Sequence, residues 1–234
     1  MEEARGCATP TPERAPGGDS GPPRLGVLIS GRGSNLAALM AAISDGRLQA
    51  VIAVVISNRP GAAGLERARV AGIPTLVLEH RQFANRDEYD TRLAAELSAR
   101  GVSLVCLAGF MRLVGAPLIE AFPDAILNVH PSLLPAFPGL EAQRQALEHG
   151  VKVSGATVHL VTAELDGGPI LLQAAVPVHD EDTAETLSAR ILVEEHRIYP
   201  DAVRILLEGT WRIEGRRFRG SPTWPHPVGD VAGR

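Results

Sequence analysis

Short apolar runs alternate with amphipathic stretches through the first half of the chain. The runs are rich in Val, Ile, Leu and Ala without a polar face, which is typical of strands buried on both sides. The stretches between them repeat apolar residues at helical spacing. This alternation predicts parallel βαβ units and hence a doubly wound α/β sheet. The predicted strands are 25–30, 51–57, 74–78 and 103–108, and the predicted helices follow the turn at 30–35 and cover 63–71 and 87–100.

The pattern changes in the second half of the chain. Two β-rich runs at 153–162 and 170–178 are joined by a connection without helical periodicity, which predicts an antiparallel pair. A long amphipathic helix is predicted over 183–209, and Pro200 is expected to kink or break it. The expected fold is therefore a mostly parallel, Rossmann-like sheet with an antiparallel C-terminal portion and a long C-terminal helix. The remaining predicted elements are a short helix at 140–149 and a short strand at 211–219.

The two ends of the chain differ in composition from the part between them. Residues 1–23 are rich in Gly, Pro, Glu and Thr, and residues 220–234 again carry several prolines and glycines. Such segments bury too little apolar surface to offset the entropy of ordering them. We predict disordered tails at 1–23 and 220–234 around a single domain at 24–219. The core of that domain should be aliphatic, because only 4% of the residues are aromatic.

Bulk charge and cysteine content argue against several classes of protein. The 234-residue chain has a formal net charge of -4, which disfavours nucleic-acid or membrane-surface binding by bulk electrostatics. Cys7 and Cys106 provide neither a disulfide framework nor metal-ligand spacing, so no metal is expected. No apolar run reaches the about 18 residues of a membrane span, and the N-terminus lacks a signal-peptide core. We therefore expect a cytoplasmic protein.

The stretch AILNVHPSLLPAFPG, at 125–139, carries the first candidate chemistry. In a strand, Asn128 and His130 project to the same side, because strand side chains alternate with period two. Pro131 disfavours a helix at His130 and helps to hold this geometry. A donating amide beside an imidazole that can donate or accept a proton suits acyl-type chemistry at a carbonyl oxygen.

The turn SGRGSN at 30–35 lies between the first predicted strand and its helix. A glycine turn at a helix N-terminus presents free backbone N–H groups to a phosphate. The spacing fits neither the dinucleotide fingerprint nor the Walker pattern, which favours a single phosphate over a pyrophosphate. A plain tight turn capped by Ser34 or Asn35 is an equally good interpretation of the local pattern.

Asp166 is the best-placed acid, because it precedes Gly167-Gly168-Pro169 in the loop between two β runs. Its carboxylate could pair with His130 and hold the ring as imidazolium, raising its pKa. An Asx-type turn residue is the more common role in such a loop. Without a nucleophilic Ser or Cys in an elbow context, general acid–base chemistry with an external nucleophile is expected.

The other histidines give weaker signals. His159 alternates with apolar neighbours, so it either lines the site or is a satisfied core histidine, and His196 is ambiguous. Surface positions are expected for the rest, which are His80, His149, His179 and His226.

Five segments, in this order and spacing, resemble the phosphoribosylglycinamide formyltransferase family. The resemblance covers about residues 25–209, and its segments are LISGRGSNL, LAGFMRLV, ILNVHPSLLPAFPG, VHLVTAELDGGPILLQ and EEHRIYP. It implies transfer of a formyl group from 10-formyltetrahydrofolate, the co-substrate, to the amine of 5-phosphoribosylglycinamide. Asn128, His130 and Asp166 match the family's catalytic triad. The amine would attack the formyl carbon directly, with Asn128 and protonated His130 on the oxyanion and Asp166 assisting proton movement.

The resemblance also implies binding residues. The ribonucleotide would contact Gly33, Ser34, Asn35 and Glu195, and the folate would contact Arg86, Met111, Arg112, Leu113, Val114, Asn128, Thr162, Ala163, Glu164, Leu165 and Asp166. Ala163 replaces a usual acidic residue of the folate loop, and Glu141-Ala142-Gln143 replaces a usual His-containing stretch. Both departures concern folate-loop contacts and not the triad.

Rival interpretations share the Asn, His and Asp set. A methionyl-tRNA formyltransferase should carry an added basic C-terminal domain, and a formyltetrahydrofolate hydrolase an added N-terminal domain, and we expect neither here. A non-catalytic nucleotide sensor needs none of the three residues together. The expected partners are the two small-molecule substrates, with no nucleic acid and no membrane, in a monomer or homodimer.

Overall fold

The computed structural model describes residues 21–220, which form one nine-stranded sheet with helices packed on it. The strands are β1 (Arg24–Ile29), β2 (Val51–Ser57), β3 (Thr75–Val77), β4 (Leu104–Leu107), β5 (Ile126–His130), β6 (Val153–Leu160), β7 (Ile170–Pro177), β8 (Trp211–Glu214) and β9 (Arg217–Gly220). The helices are α1 (Ser34–Ser44), α2 (Ala63–Val70), α3 (Arg86–Ser98), α4 (Ala116–Ala121), α5 (Ala142–Glu148) and α6 (Ala184–Glu208), with a 3₁₀ turn at His80–Gln82.

The strand order is β3-β2-β1-β4-β5-β6-β7-β9-β8. The pairs from β3 to β5 are parallel, and β6 runs antiparallel to both β5 and β7. This arrangement confirms the predicted fold class, including the antiparallel C-terminal portion. Because β1, β4 and β5 are parallel neighbours, their carboxyl ends open on one edge of the sheet, where ligands of doubly wound folds bind.

The core is aliphatic, as the composition predicts. Its fully buried members come mainly from the central strands and from the inner faces of α1, α3 and α6. Tyr199 of α6 is buried and donates from its hydroxyl to the carbonyl oxygens of Leu107 and Leu127, at 3.0 and 3.1 Å. This contact fixes α6 against β4 and β5. The apolar face predicted for α6 is confirmed as buried at Leu187, Ile191, Ile198, Val203 and Leu206.

Several local predictions are wrong. Helix α6 is not broken at Pro200, although proline lacks the N–H of an internal helical bond, and the kink expected as the alternative stays a prediction. Burial of the turns on both sides of Pro200 offsets that loss. The six-residue helix α4 was not predicted, and the single strand expected at 211–219 is the hairpin β8–β9. Gly220 ends β9 and is not part of a tail. The predicted tails otherwise lie outside the described residues, apart from 21–23.

Within residues 21–220, no helix is both long enough and apolar enough to cross a membrane.

Candidate active site

A cleft of ≈ 630 Å³ opens at the carboxyl ends of β4 and β5. Two hydrogen bonds draw the end of β1 to the same place: Ser30 N–H donates to Gly109 O at 3.1 Å, and Met111 N–H donates to Ser30 Oγ at 2.9 Å. The segments at 30–35, 109–112 and 128–130 therefore lie together at one edge of the sheet.

Asn128 and His130 project from β5 into this cleft, as the strand alternation predicts. Asn128 lies opposite His159 in the antiparallel β5–β6 pair, and its Nδ2 is 3.2 Å from His159 Nε2. His130 is 4% exposed, and its Nε2 is 2.8 Å from the carbonyl oxygen of Phe137. Since a carbonyl oxygen only accepts, Nε2 of His130 carries a proton, and Nδ1 faces the interior of the site.

Asp166 enters the cleft from the loop between β6 and β7, where its backbone has a φ of 48°. Its Oδ2 accepts the N–H of Gly139 at 2.8 Å and lies 3.5 Å from Nδ1 of His130. Its Oδ1 lies 3.6 Å from Nε2 of His159. One carboxylate therefore stands between two imidazoles and also anchors the backbone that follows β5.

Burial is the largest influence on the pKa of His130. It lowers this pKa from its ordinary 6.5, and the bond to Phe137 O and the charge of Asp166 both raise it without cancelling the effect of burial. The expected influence of Asp166 is therefore present but smaller than that of burial, and an imidazolium held by Asp166 stays a prediction. Burial acts to raise the pKa of Asp166. The interactions with His159, the Gly139 N–H and His130 together hold that pKa below its usual range, so Asp166 is ionised.

His159, which the sequence left open, belongs to the site. It is buried on β6 and lines the cleft. Its Nδ1 lies 2.9 Å from the carbonyl oxygen of Leu160, so this nitrogen is the donor, and its Nε2 lies 3.2 Å from the amide nitrogen of Asn128. His159 thus fixes which way the Asn128 amide is turned. Its position opposite Asn128 depends on the strand register, which the sequence alone did not supply.

The turn at 30–35 leads into α1 without a side-chain cap. Gly33 is the N-cap of α1 with φ 70°, and no side chain caps the helix, which corrects the alternative with Ser34 or Asn35 as cap. A Cβ on Gly33 would lie 2.8 Å from Cα of Gly64, so the first turn of α1 and the start of α2 touch through backbone alone. No cap side chain accepts from the N–H groups of the first turn of α1.

Glu195 of α6 reaches this turn. It is 7% exposed, and its Oε2 accepts from Nδ2 of Asn35 at 2.7 Å. Burial raises the pKa of Glu195, and the bond from Asn35 opposes that rise. Asn35 Oδ1 is also buried and has no hydrogen-bond partner among the described residues. Gly33, Ser34, Asn35 and Glu195 do not line the ≈ 630 Å³ cleft, and Ser30 connects their turn to it.

The residues predicted to contact the folate all line the cleft. Arg112 lies over the ring of Tyr89, with Cζ 4.8 Å from the ring centroid, and the buried Asp90 accepts the N–H of Gly115 at 2.6 Å. These contacts hold the wall formed by 111–115. The predicted set found in the lining is Arg86, Met111, Arg112, Leu113, Val114, Asn128, Thr162, Ala163, Glu164, Leu165 and Asp166.

Across residues 21–220, no group of three or more His, Cys, Asp or Glu side chains is arranged to hold a metal ion. The chemistry that the cleft can support with its own side chains is hydrogen bonding to a developing oxyanion and proton transfer.

The fold and this site are those of a formyl-group transferase. The sequence model described as "Formyl transferase" matches residues 23–203, and the chain belongs to this family. Within it, the resemblance to phosphoribosylglycinamide formyltransferases is confirmed. The phosphoribosylglycinamide formyltransferase of Escherichia coli (strain K12) is 44% identical over 190 residues, which cover 81% of this chain and 87% of that protein.

A solved structure and a set of larger proteins extend the comparison. Glycinamide ribonucleotide transformylase 1 from Symbiobacterium toebii superposes with a TM-score of 0.84 at 59% identity, covering 86% of this chain and 95% of that one. The trifunctional purine biosynthetic protein adenosine-3 of Drosophila melanogaster is 49% identical over 189 residues, or 80% of this chain. The chain spans only 14% of that protein's length and 19% of the length of the Homo sapiens protein of the same name.

Proposed function

We propose that this chain transfers the formyl group of 10-formyltetrahydrofolate to the amine of 5-phosphoribosylglycinamide, a step of de novo purine (IMP) biosynthesis. The observation that carries the proposal is the triad itself. Asn128 and His130 project from one strand into a cleft where the Asp166 carboxylate lies 3.5 Å from His130. A site that only binds a nucleotide has no need of these three groups together.

The first step is attack of the amine nitrogen on the formyl carbon, which forms a C–N bond and a tetrahedral oxyanion. The Nδ2 of Asn128 donates one hydrogen bond to this oxygen, in the orientation that His159 sets. The Nε2–H of His130 donates the other, once the formyl oxygen takes the place of the Phe137 carbonyl as its acceptor. Donors that are already in position stabilise the charge where it develops.

The second step moves a proton from the attacking nitrogen to the leaving nitrogen of the folate. The attacking amine loses a proton and N10 gains one as the C–N10 bond breaks, so the step is neutral overall. Nδ1 of His130 and the ionised Asp166 face each other at 3.5 Å and can hold this proton between them. The negative oxyanion raises the pKa of His130 during the reaction, against the lowering effect of its burial.

The ribonucleotide binds at the start of α1. Its single phosphate accepts from the uncapped N–H groups that follow Gly33, at Ser34 and Asn35. Glu195, held by Asn35, provides the acceptor for the glycinamide end of the same substrate. The bond between Ser30 and Met111 keeps this turn beside the folate cleft, which supports a position of the amine near the triad.

The folate occupies the cleft between two walls. The segment Met111–Val114 and the loop Thr162–Asp166 provide backbone groups for the pterin and exposed apolar side chains for the rest of the molecule. Arg86 and Arg112 also line the cleft, and neither has an ion-pair partner within residues 21–220. Two arginines without such partners suit the carboxylates of the folate's glutamate end.

A formyl-transfer assay with competing acceptors tests this function. The purified protein is given 10-formyltetrahydrofolate with 5-phosphoribosylglycinamide, methionyl-tRNA or water as acceptor, and release of tetrahydrofolate is followed. We expect efficient transfer to phosphoribosylglycinamide alone. Transfer to methionyl-tRNA, or release of formate at a comparable rate without any acceptor, would overturn the proposal in favour of the corresponding rival activity.

A further inference from the structure

Ser30 is a buried hydrogen-bond junction beside the site. It is 4% exposed, as is Asn58 at the end of β2. The hydroxyl of Ser30 donates to Oδ1 of Asn58 at 2.7 Å and accepts the N–H of Met111 at 2.9 Å. The N–H of Ser30 donates to Gly109 O at 3.1 Å. One residue therefore joins the ends of β1, β2 and β4.

The direction of each bond is fixed by the chemistry of its atoms. A serine hydroxyl has one proton, and the amide oxygen of Asn58 can only accept it. The lone pairs of Ser30 Oγ are then turned toward Met111, whose N–H can only donate. Asn58 thus orients Ser30, and Ser30 orients the backbone at Met111.

This junction lies between the two proposed binding regions. Ser30 directly precedes Gly31 of the anion-binding turn, and Met111 begins the wall of the cleft. The other end of that wall is held by Asp90, which accepts the N–H of Gly115 at 2.6 Å. Ser30 itself does not line the cleft.

We propose that Ser30, oriented by Asn58, is a positioning residue that holds the folate-binding wall at Met111 in register with the anion-binding turn. The proposal rests on the proposed function, because it assigns the wall to the folate. Loss of the Ser30 hydroxyl leaves the triad in place and frees the Met111 end of the wall. Folate binding should weaken, and the chemical step should be preserved.

The test compares Ser30→Ala, Asn58→Ala and their double variant with Ser154→Ala. Ser154 is a matched control, because it is buried on β6 and its hydroxyl has no hydrogen-bond partner in the described part of the chain. Steady-state KM and kcat are measured for each substrate, thermal unfolding is recorded, and tetrahydrofolate binding is followed by calorimetry. Asn58→Ala keeps the Ser30 hydroxyl and supplies the test if Ser30→Ala does not fold.

Ser30→Ala should raise the KM for 10-formyltetrahydrofolate and the Kd for tetrahydrofolate by about fivefold to tenfold, with kcat within about threefold of the unmodified protein. Asn58→Ala should shift both constants in the same direction. The double variant should bind the folate no more weakly than Ser30→Ala does, because both changes interrupt the same chain of hydrogen bonds. Ser154→Ala should leave both constants unchanged.

Three results would overturn the proposal while the function stands. One is an unchanged folate KM in folded Ser30→Ala, and another is additive effects of the two single changes. The third is a loss confined to kcat, which would contradict a positioning role. Failure of the unmodified protein to transfer formyl or to bind tetrahydrofolate would instead overturn the proposed function, and this proposal with it.

Discussion

Nδ1 of His130 lies 3.5 Å from Oδ2 of Asp166, and this contact joins β5 to the loop between β6 and β7. The other ring nitrogen of His130 is committed to the carbonyl oxygen of Phe137. The ring is therefore held at Nε2, and Nδ1 faces the carboxylate of Asp166 before any substrate arrives. Burial keeps it mainly neutral, and the ionised carboxylate offers a stable position for a proton at Nδ1.

Replacing His130 by alanine should lower kcat by about a hundredfold or more, because one donor to the oxyanion is lost. The fold should persist, since the N–H of Gly139 still holds Asp166 and its loop when the ring is removed. Circular dichroism and a steady-state assay with both substrates check this. His149→Ala is the control, because this side chain is exposed on the C-cap of α5. Comparable kcat values for the two variants would contradict the role of His130.

Asp166→Asn should also lower kcat by about a hundredfold, within the range of a lost general acid–base group. The amide oxygen of asparagine can still accept the N–H of Gly139, so the loop should keep its place. What is lost is the charge that faces the Nδ1 of His130. Single-turnover measurements separate this effect from substrate binding. A variant with normal turnover would show that Asp166 has no part in moving the proton.

The free energy of unfolding should fall as the pH drops below about 6.5, and His130 should contribute to that fall. Burial lowers the folded-state pKa of His130 below its ordinary 6.5. Between the two pKa values the unfolded chain binds more protons, so stability is full above 6.5 and decreases as the pH falls toward the folded-state pKa. His196, whose pKa burial also lowers, acts in the same direction.

His130→Gln should therefore make the free energy of unfolding depend less on pH. The contribution of His196 to that dependence should remain. Thermal unfolding at about pH 7.5 and about pH 5.5 measures the difference. The exposed His149→Gln should keep the dependence of the unmodified protein. An identical slope in His130→Gln would mean that the ring does not remain neutral through this range.

Glu195→Gln should raise the KM for phosphoribosylglycinamide by about tenfold, the difference between a charge-assisted and a neutral hydrogen bond. The KM for the folate should not change, because Glu195 lies outside the cleft proposed to bind the folate. Glu194→Gln is the matched control, since its carboxylate pairs with Arg197 at 2.6 Å. An equal rise in both KM values would show that Glu195 does not contact the ribonucleotide specifically.

The parallel half of the sheet could be predicted because strands that are buried on both faces have uninterrupted apolar sequences. The shared side of Asn128 and His130 followed from strand periodicity alone. The helix α4 escaped prediction because it has only six residues and starts beside Pro117, with one buried side chain, Leu118. Continuity at Pro200 was missed because local propensity cannot weigh the packing of the turns around it.

Two features of the site depend on tertiary contacts and could not be read from the chain. The pKa of His130 depends mainly on how completely the surrounding segments bury its ring, which lowers the pKa. From the sequence, the candidate acid Asp166 suggested a raised pKa instead. The place of His159 depends on the register that sets it opposite Asn128. A period-two pattern gives the face of a strand but not its partner across the sheet.

The meeting of Gly33 with Gly64 restricts how this protein can vary. A side chain at either position would collide: one on Gly33 with the backbone of Gly64, and one on Gly64 with Ile29, whose Cδ1 would be 2.6 Å away. A single replacement at Gly33 or Gly64 cannot widen the turn at 30–35, because the start of α2, the helix that connects β2 to β3, lies directly against it. A redesign for a bulkier anion would have to rebuild two helix starts together. The size of the proposed phosphate site is therefore set by the architecture of the sheet and its crossovers.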